Sequence, residues 1–366
     1  MAKKIRVGIL FGGRSAEHEV SLQSAKNIFD AIDTNKYEVV LIGIDKKGRW
    51  HLNEKSRFLL PGTESGLPAL PQTGENLALV PGKQNEQLVA LSGAQRPGSL
   101  DVIFPVLHGP FGEDGTVQGL LKLANIAFVG AGVLGSAIGM DKDVMKRLLR
   151  DAGVAIARFL VVNRYSSKEI SFDDARDQLG LPLFIKPANL GSSVGIHKVK
   201  GREEFGRAVR DAFNYDNKIL IEECIRGREI ECSVVGSENP IASVAGEILP
   251  RHEFYSYEAK YLDENGAALE IPAKLPPATS ERIRQLAIKT FSVLCCEGMA
   301  RVDFFLTNDE EIIVNEINTI PGFTRISMYP KLWEAIGISY SELIDKLIEL
   351  AIERFEREKG LKTDRV

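Results

Sequence analysis

Long apolar runs and an excess of positive charge are both missing from this 366-residue sequence. No stretch approaches the roughly 20 apolar residues of a membrane-spanning helix, and the longest runs are the length of a strand. The formal net charge is -4, which gives no support for binding nucleic acid or an anionic membrane. The composition is that of an ordinary globular protein, with 44% hydrophobic and 26% charged residues.

Cysteine is also scarce. The four cysteines form no Cys-x-x-Cys pair, and Cys295 and Cys296 are adjacent within a helical pattern. We therefore predict reduced, buried thiols in a cytoplasmic protein. The N-terminus runs from Lys3 and Lys4 directly into a strand-like segment, so we predict no signal peptide.

Alternating strand and helix patterns fill the N-terminal third of the chain. Strand patterns lie at 5–11, 37–44 and 101–106, with helical patterns at 20–32 and 117–124. This alternation predicts an α/β domain with an open, mainly parallel sheet. Residues 53–98 are rich in Pro, Gly, Ser and Asn, which predicts peripheral loops and short irregular strands. From about Asp141 short strands and hairpins dominate.

Two strand patterns near the C-terminus, 300–306 and 311–318, are joined by a short polar connection that predicts an antiparallel hairpin. The sequence does not fix its register. If Leu306 pairs with Ile313, Asp303 lies opposite Glu316. Strand alternation then places Arg301, Asp303, Glu316 and Asn318 on one face, and Val302, Phe304, Leu306, Ile313 and Ile317 on the other.

Two carboxylates that face each other across a sheet repel unless a cation lies between them. Oxygen ligands from Asp303, Glu316 and Asn318 suit Mg²⁺, which proteins usually share with phosphates. The alternative is an ordinary sheet with one solvated polar face. The loop that follows, residues 318–324, contains Pro321 and Gly322 and favours the functional interpretation.

A second candidate site is the glycine- and serine-rich loop at 189–195, which follows Lys186. Backbone N–H groups and hydroxyls of such a loop bind phosphate oxygens, and the lysine supplies positive charge. The loop is not a Walker A motif, because no Gly-Lys-Ser/Thr opens a helix. The alternative is a flexible hairpin turn.

The third candidate site lies at the end of the first strand, where ligands bind in open α/β sheets. Gly12 and Gly13 allow close approach, and Glu17 is placed to contact a substrate amine. A plain strand–helix turn is the alternative. The glycines do not make Gly-x-Gly-x-x-Gly, which disfavours a dinucleotide site. The loop from His108 to Gly115 ends a later strand, and a lone His108 is structural by default.

Five segments together resemble the D-alanine–D-alanine ligases of the ATP-grasp superfamily: residues 12–21, 108–115, 186–195, 257–261 and 315–324. They cover nearly the whole chain in the family's order. The resemblance implies an N-terminal α/β domain at 1–138, a small central ATP-grasp domain at 139–226, and a C-terminal ATP-grasp domain at 227–366. A mobile loop is expected near 248–267.

The resemblance also implies the chemistry. ATP and two Mg²⁺ or Mn²⁺ ions would join two D-alanine molecules through D-alanyl phosphate, for peptidoglycan precursor synthesis. A cytoplasmic homodimer is expected, with no nucleic acid or membrane partner. The implied catalytic residues are Glu17, Ser192, Tyr261, Arg301 and Gly322. The implied ATP-binding residues are Lys142, Lys186, Ser193, Glu222, Glu223, Ile225, Glu229 and Lys260. The implied substrate-binding residues are Glu17, Val20, His108, Arg301, Gly322, Ser327 and Met328. The implied metal ligands are Asp303, Glu316 and Asn318.

Tyr261 bears on the second substrate, because related ligases that make D-alanyl-D-lactate lack this tyrosine. Arg325 departs from the family pattern beside the second-substrate site, where a small or amide residue is expected. Three other hypotheses stay open on the sequence. They are a different carboxylate–amine ligase of the same superfamily, a non-catalytic nucleotide-binding regulator, and an NAD-dependent oxidoreductase.

Overall fold

A computed structural model describes residues 3–53, 75–82, 87–92, 98–166, 170–250 and 267–362. The described strands form three sheets, one after another along the chain. No helix in these ranges is both long enough and apolar enough to cross a membrane.

The first sheet has seven strands in the order β5-β4-β3-β2-β1-β6-β7. Its parallel part is β1 (Ile5–Gly12), β2 (Tyr37–Ile44), β6 (Val102–Val106) and β7 (Ala127–Phe128). Its antiparallel edge is β3 (Trp50–Asn53), β4 (Glu75–Leu79) and β5 (Leu88–Ala90). The associated helices are α1 (His18–Ala31) and α2 (Thr116–Leu123), and α3 (Val133–Met140) follows β7 and packs Ile138 into the core of the third sheet. The predicted open, mainly parallel sheet is confirmed.

The second sheet has four strands in the order β10-β9-β11-β8. Its strands are β8 (Phe159–Asn163), β9 (Leu183–Pro187), β10 (His197–Val199) and β11 (Lys218–Glu223). Helix α4 (Lys142–Asp151) precedes this sheet and packs Met145 and Leu149 into the core of the third sheet, and the helices of the second sheet are α5 (Phe172–Leu179) and α6 (Arg202–Ala212). Strand β10 begins only at His197, two residues after the glycine–serine loop ends. Ser192, Ser193 and Gly195 have positive φ angles of 51°, 60° and 69°, so this part of the chain turns and is not extended.

The third sheet has five antiparallel strands in the order β14-β13-β12-β15-β16. Its strands are β12 (Gly227–Gly236), β13 (Ile241–Pro250), β14 (Ala267–Glu270), β15 (Gly298–Thr307) and β16 (Ile312–Asn318). The helices of this region are α7 (Pro277–Val293), α8 (Met328–Glu334) and α9 (Tyr340–Lys359).

The hairpin of β15 and β16 has the predicted register at its functional end and a different one near its turn. Asp303 lies opposite Glu316, but Leu306 pairs with Ile312, because the register shifts between Asp303 and Phe304. The shift is a β-bulge, which inserts one extra residue into β16. The prediction that Ile313 lies on the same face as Phe304 and Leu306 is therefore wrong, because Ile313 pairs with Phe305. The core-facing residues of β16 are Ile312, Val314 and Ile317.

The prediction of buried thiols is only partly correct. All four cysteines are free, but Cys295 is exposed and Cys224 is half-buried, whereas Cys232 and Cys296 are buried. Cys295 has a φ of 55° just after α7 ends, and this turn directs its side chain outward.

Helix α9 connects the C-terminal region to the first sheet. Its apolar face joins the core that also contains Val7, Phe104 and Val129. Its buried Arg354 donates hydrogen bonds to the carbonyl oxygens of Gly130 (2.6 Å) and Phe128 (2.7 Å). The guanidinium carbon also lies 4.4 Å from the centre of the Phe128 ring. Arg354 therefore satisfies two carbonyls of the chain segment that leaves β7.

Replacing Arg354 tests whether it stabilises the contact between helix α9 and the first-sheet region. We expect Arg354→Met to destabilise the protein by about 2–4 kcal/mol, because two buried carbonyl groups lose their donors. The half-exposed Arg357, whose guanidinium lies 2.8 Å from Glu297, is the matched control. Arg357→Met is expected to cost about 0–1 kcal/mol. Thermal unfolding of both variants measures the difference, and equal shifts would contradict this account of Arg354.

Candidate functional site

The polar face of β15 and β16 carries a compact set of charged groups. Both carboxylate oxygens of Asp303 accept hydrogen bonds from the Arg301 guanidinium at 2.7 Å. One of them also accepts from the Asn318 amide at 2.9 Å. Glu316 lies directly opposite Asp303 in the neighbouring strand. The four residues that the sequence placed on one face are thus brought together.

Lys142 brings a positive charge to the same face from the first turn of α4. Its ammonium nitrogen lies 3.3 Å from a Glu316 oxygen, and its side chain is only 6% exposed. It also donates a hydrogen bond to the carbonyl of Leu190 at 2.6 Å. One lysine therefore links α4, the glycine–serine loop and the carboxylate pair, which the sequence had presented as separate features.

The chemistry of this donor set fits a magnesium or manganese ion. Asp303, Glu316 and Asn318 supply hard oxygen ligands, the type that these ions prefer. Among the described residues no three His, Cys, Asp or Glu side chains converge as a complete metal cage. Such an incomplete set suits Mg²⁺, which is usually held by one or two carboxylates together with phosphate oxygens and water.

A second charged cluster surrounds the buried Glu222 at the end of β11. One of its oxygens lies 2.5 Å from the Lys186 ammonium, and the other lies 3.1 Å from that of Lys146. Burial opposes ionisation of Glu222, but the two ammonium groups still hold its pKa below the ordinary value. Burial lowers the pKa of Lys146, and the Glu222 charge partly offsets this. The pairing with Glu222 thus holds the Lys186 ammonium in place near the end of β9, the strand that precedes the glycine–serine loop.

Glu17 connects the first sheet to the glycine–serine loop. It precedes α1 and is 7% exposed, and its carboxylate accepts a hydrogen bond from the Ser192 hydroxyl. The loop is anchored at its start by Asn189, whose backbone and side-chain nitrogens donate to Asp216 at 2.8 Å and 2.9 Å. The predicted Glu17–Ser192 contact is present. Tyr261 and Lys260, expected beside it, lie outside the described residues.

A residue larger than glycine at position 322, in the loop after β16, would displace the Ser327 hydroxyl. A Cβ atom there would lie 2.8 Å from the Ser327 hydroxyl oxygen. That hydroxyl accepts a hydrogen bond from the Thr324 backbone at 3.0 Å. Met328 begins α8 with a buried side chain that packs against Gly246. Arg325 is exposed.

The remaining residues that the sequence singled out take different positions. Glu223 points away from Glu222 and binds Arg158 through both carboxylate oxygens, with hydrogen bonds of 2.7 Å. Val20 is buried on α1. Ser193 lies in the glycine–serine loop, and Ile225 and Glu229 are half-buried near the start of β12.

His108 has both ring nitrogens engaged within the protein. Its Nδ1 lies 3.0 Å from the carbonyl oxygen of Ile320, and its Nε2 lies 3.2 Å from the Ser24 hydroxyl. The imidazole is buried, and burial lowers its pKa. This side chain is therefore placed to hold a loop rather than to contact a ligand directly.

Sequence analysis missed several residues of the site, among them Lys146 and Glu231. Lys146 lies one helical turn after Lys142, and that spacing is a signal that both point the same way. Glu231 lies opposite Asp303 on β12, with an oxygen 2.9 Å from the Arg301 guanidinium. Its alternation with Glu229 marks the face, but the pairing of β12 with β15 is not visible in the sequence.

Family models match both parts of the chain. The D-ala D-ala ligase N-terminus matches residues 6–131, and the D-ala D-ala ligase C-terminus matches residues 148–349. The chain is 58% identical over 362 residues to the D-alanine–D-alanine ligase of Oceanobacillus iheyensis, with 99% of each chain covered.

Solved structures give the same result. The D-alanine–D-alanine ligase of Coxiella burnetii superposes with a TM-score of 0.85 at 39% identity, covering 98% of this chain and 97% of that one. The Bacillus anthracis D-alanine–D-alanine ligase complexed with ATP superposes with a TM-score of 0.72 at 28% identity, covering 97% and 99%. This chain belongs to the D-alanine–D-alanine ligase family, whose members are ADP-forming ligases with the ATP-grasp fold.

Proposed function

We propose that this enzyme joins two D-alanine molecules to D-alanyl-D-alanine for peptidoglycan precursor synthesis, with ATP converted to ADP and phosphate. The observation that carries the proposal is the convergence of Lys142 with Glu316 beside the Arg301–Asp303 pair. Groups suited to a phosphate, a hard cation and a developing negative charge lie on one face. Family membership supports the substrate.

In the first step a carboxylate oxygen of one D-alanine attacks the γ-phosphorus of ATP. The bond between that phosphorus and the bridging oxygen breaks, ADP leaves, and D-alanyl phosphate remains. Glu17 binds the ammonium of this first substrate. Lys142 and Lys186 bind the phosphates, and the loop of residues 189–195 covers them. The other ATP contacts are assigned to Ser193, Glu222, Glu223, Ile225, Glu229 and Lys260.

In the second step the amine of another D-alanine attacks the acyl carbon. The C–N bond forms, the amine loses a proton, and the C–O bond to phosphate breaks. Arg301 and the backbone N–H of Gly322 stabilise the negative oxygen of the tetrahedral intermediate. Ser327 and the backbone at Met328 bind the carboxylate of the second substrate, with Val20 and His108 beside the first.

Asp303, Glu316 and Asn318 would hold two Mg²⁺ or Mn²⁺ ions, which neutralise charge on the phosphates. Tyr261 would join Glu17 and Ser192 in excluding water.

We divide the chain into domains at 1–138, 139–226 and 227–366, since each range contains one sheet, and we assign closure to the loop near 248–267. We assign the enzyme to the cytoplasm, where ATP and reducing conditions prevail.

A homodimer is the proposed assembly. Four apolar side chains on the neighbouring helices α2 and α3 are exposed: Leu120, Leu123, Val133 and Leu134. Clustered exposed apolar groups mark interfaces, and identical chains associate most often through a two-fold axis.

The dimer is tested by sedimentation equilibrium. We expect Leu123→Glu combined with Leu134→Glu to give a monomer, because charges would be buried in the interface. Tyr165→Glu changes a more accessible residue, 86% exposed, in the second sheet region and is expected to leave a dimer. A dimer in both variants would place the interface elsewhere.

The function is tested by ADP release and mass analysis of the products. We expect ADP release and D-alanyl-D-alanine with ATP, Mg²⁺ and D-alanine, and neither with L-alanine. D-lactate in place of the second D-alanine distinguishes a depsipeptide ligase. ATP binding without turnover would favour a regulator, and turnover only with another acid–amine pair would favour a different ligase.

The metal-binding role of the hairpin is tested by substitutions that preserve size. We expect Asp303→Asn and Glu316→Gln to abolish turnover, because each removes an anionic oxygen that a divalent cation needs. Glu311→Gln, at the exposed turn of the same hairpin, is the control and is expected to be fully active. Activity of both site variants at ordinary Mg²⁺ concentrations would refute this assignment of the ligands.

A further inference from the structure

Side chains of the first-sheet region hold the backbone on both sides of Gly322. The carbonyl oxygen of Ile320 lies 3.0 Å from His108 Nδ1, and the N–H of Ile320 donates to Glu113 Oε1 at 3.1 Å. The N–H of Phe323 donates to the Ser24 hydroxyl at 3.3 Å. Three backbone groups flanking Gly322 are thus bound by residues that lie some 200 to 300 positions away in the chain.

The direction of each of these hydrogen bonds follows from elementary chemistry. A carbonyl oxygen only accepts, so His108 carries its proton on Nδ1 and donates to Ile320. Burial lowers the pKa of His108, and the neutral ring has an acceptor at Nε2. The Ser24 hydroxyl therefore donates to Nε2 and keeps a lone pair for the N–H of Phe323. Each donor has one acceptor, which defines the position of the loop.

Glu113 lies at the contact between the first-sheet region and the loop from Ile320 to Phe323, which we call the seam, and it is a carboxylate that, among the described residues, binds only backbone N–H groups there. Its Oε2 accepts from the Gly109 N–H at 2.7 Å, so both oxygens bind backbone donors from two separate loops. Burial, and then the charge of Glu17, raise its pKa to about 8, although the two N–H donors oppose the shift. The neighbouring Asp114 also accepts two backbone N–H bonds, but both come from its own loop, at Phe111 and Thr116.

We propose that Glu113 and Ser24 are positioning residues which, together with His108, fix the loop from Ile320 to Phe323 and thereby aim the Gly322 N–H at the tetrahedral intermediate. The inference rests on the proposed function. It gives the first-sheet region a part in the second chemical step, in addition to binding the first substrate. Formation of D-alanyl phosphate does not use the Gly322 N–H, so it should not depend on this seam.

The test separates the two chemical steps. Reversible formation of D-alanyl phosphate lets the β-phosphoryl group of bound ADP rotate, so bridging oxygen-18 in labelled ATP moves to a non-bridging position. At pH 9, above the Glu113 pKa of about 8, we expect Glu113→Gln to slow dipeptide formation about 10- to 100-fold. Both oxygens of the ionised carboxylate accept hydrogen bonds there, whereas the NH₂ group of glutamine faces one of the two backbone donors and displaces the loop. Oxygen-18 scrambling with D-alanine should keep its normal rate, as should the KM for ATP.

Ser24→Ala removes the hydrogen bond to the Phe323 N–H and is also expected to slow dipeptide formation but not oxygen-18 scrambling. This test does not depend on whether the Glu113 variant folds. Asp114→Asn is the matched control, since it changes an adjacent carboxylate with two local N–H bonds, and both rates should be normal. Equal slowing of scrambling and dipeptide formation, or no slowing of either, would overturn the proposal. If the unaltered chain releases no ADP with D-alanine, the proposed function itself fails, and this inference fails with it.

Discussion

Repulsion between Asp303 and Glu316 is the constraint on which the site depends. The strand pairing places them opposite each other, and like charges in this position destabilise a sheet. A cation lies beside each carboxylate: Arg301, which also contacts Glu231, beside Asp303, and Lys142 beside Glu316. These are the two cations that the proposed reaction requires for the oxyanion and the phosphates.

Glu222 likewise needs neighbouring cations, and its burial raises the cost of leaving the charge unpaired. A buried carboxylate without a partner would cost several kcal/mol, and two lysines prevent this. Lys146 is fully buried, and Lys186, which is 6% exposed, lies at the end of β9, the strand that precedes the glycine–serine loop. In the proposed function Lys186 binds phosphate, and Lys146 can then remain paired with Glu222. A second lysine that shares the Glu222 counterion therefore helps to hold Lys186 in position.

The sequence predicted the first sheet and the polar face of β15 and β16, because hydrophobic periodicity and alternation are local signals. It failed at Ile313, since nothing in the residues of β16 distinguishes a bulged strand from a regular one. It also missed the partners that arrive from distant segments, such as Lys146 for Glu222 and Glu231 for Arg301. A periodic pattern states which way a side chain points. It does not state which distant segment of the chain will contact that side chain in the fold.

The seam at Ile320 illustrates why that missing information matters for function. The family models divide the chain between residues 131 and 148, and the proposed oxyanion donor lies in the C-terminal part. Yet the backbone around it is bound by Ser24, His108 and Glu113 from the N-terminal part. Helix α9 crosses the same boundary in the opposite direction and is fastened there by Arg354. The two parts are therefore mutually dependent, because each supplies hydrogen-bonding partners that the other cannot replace with water once the seam is buried.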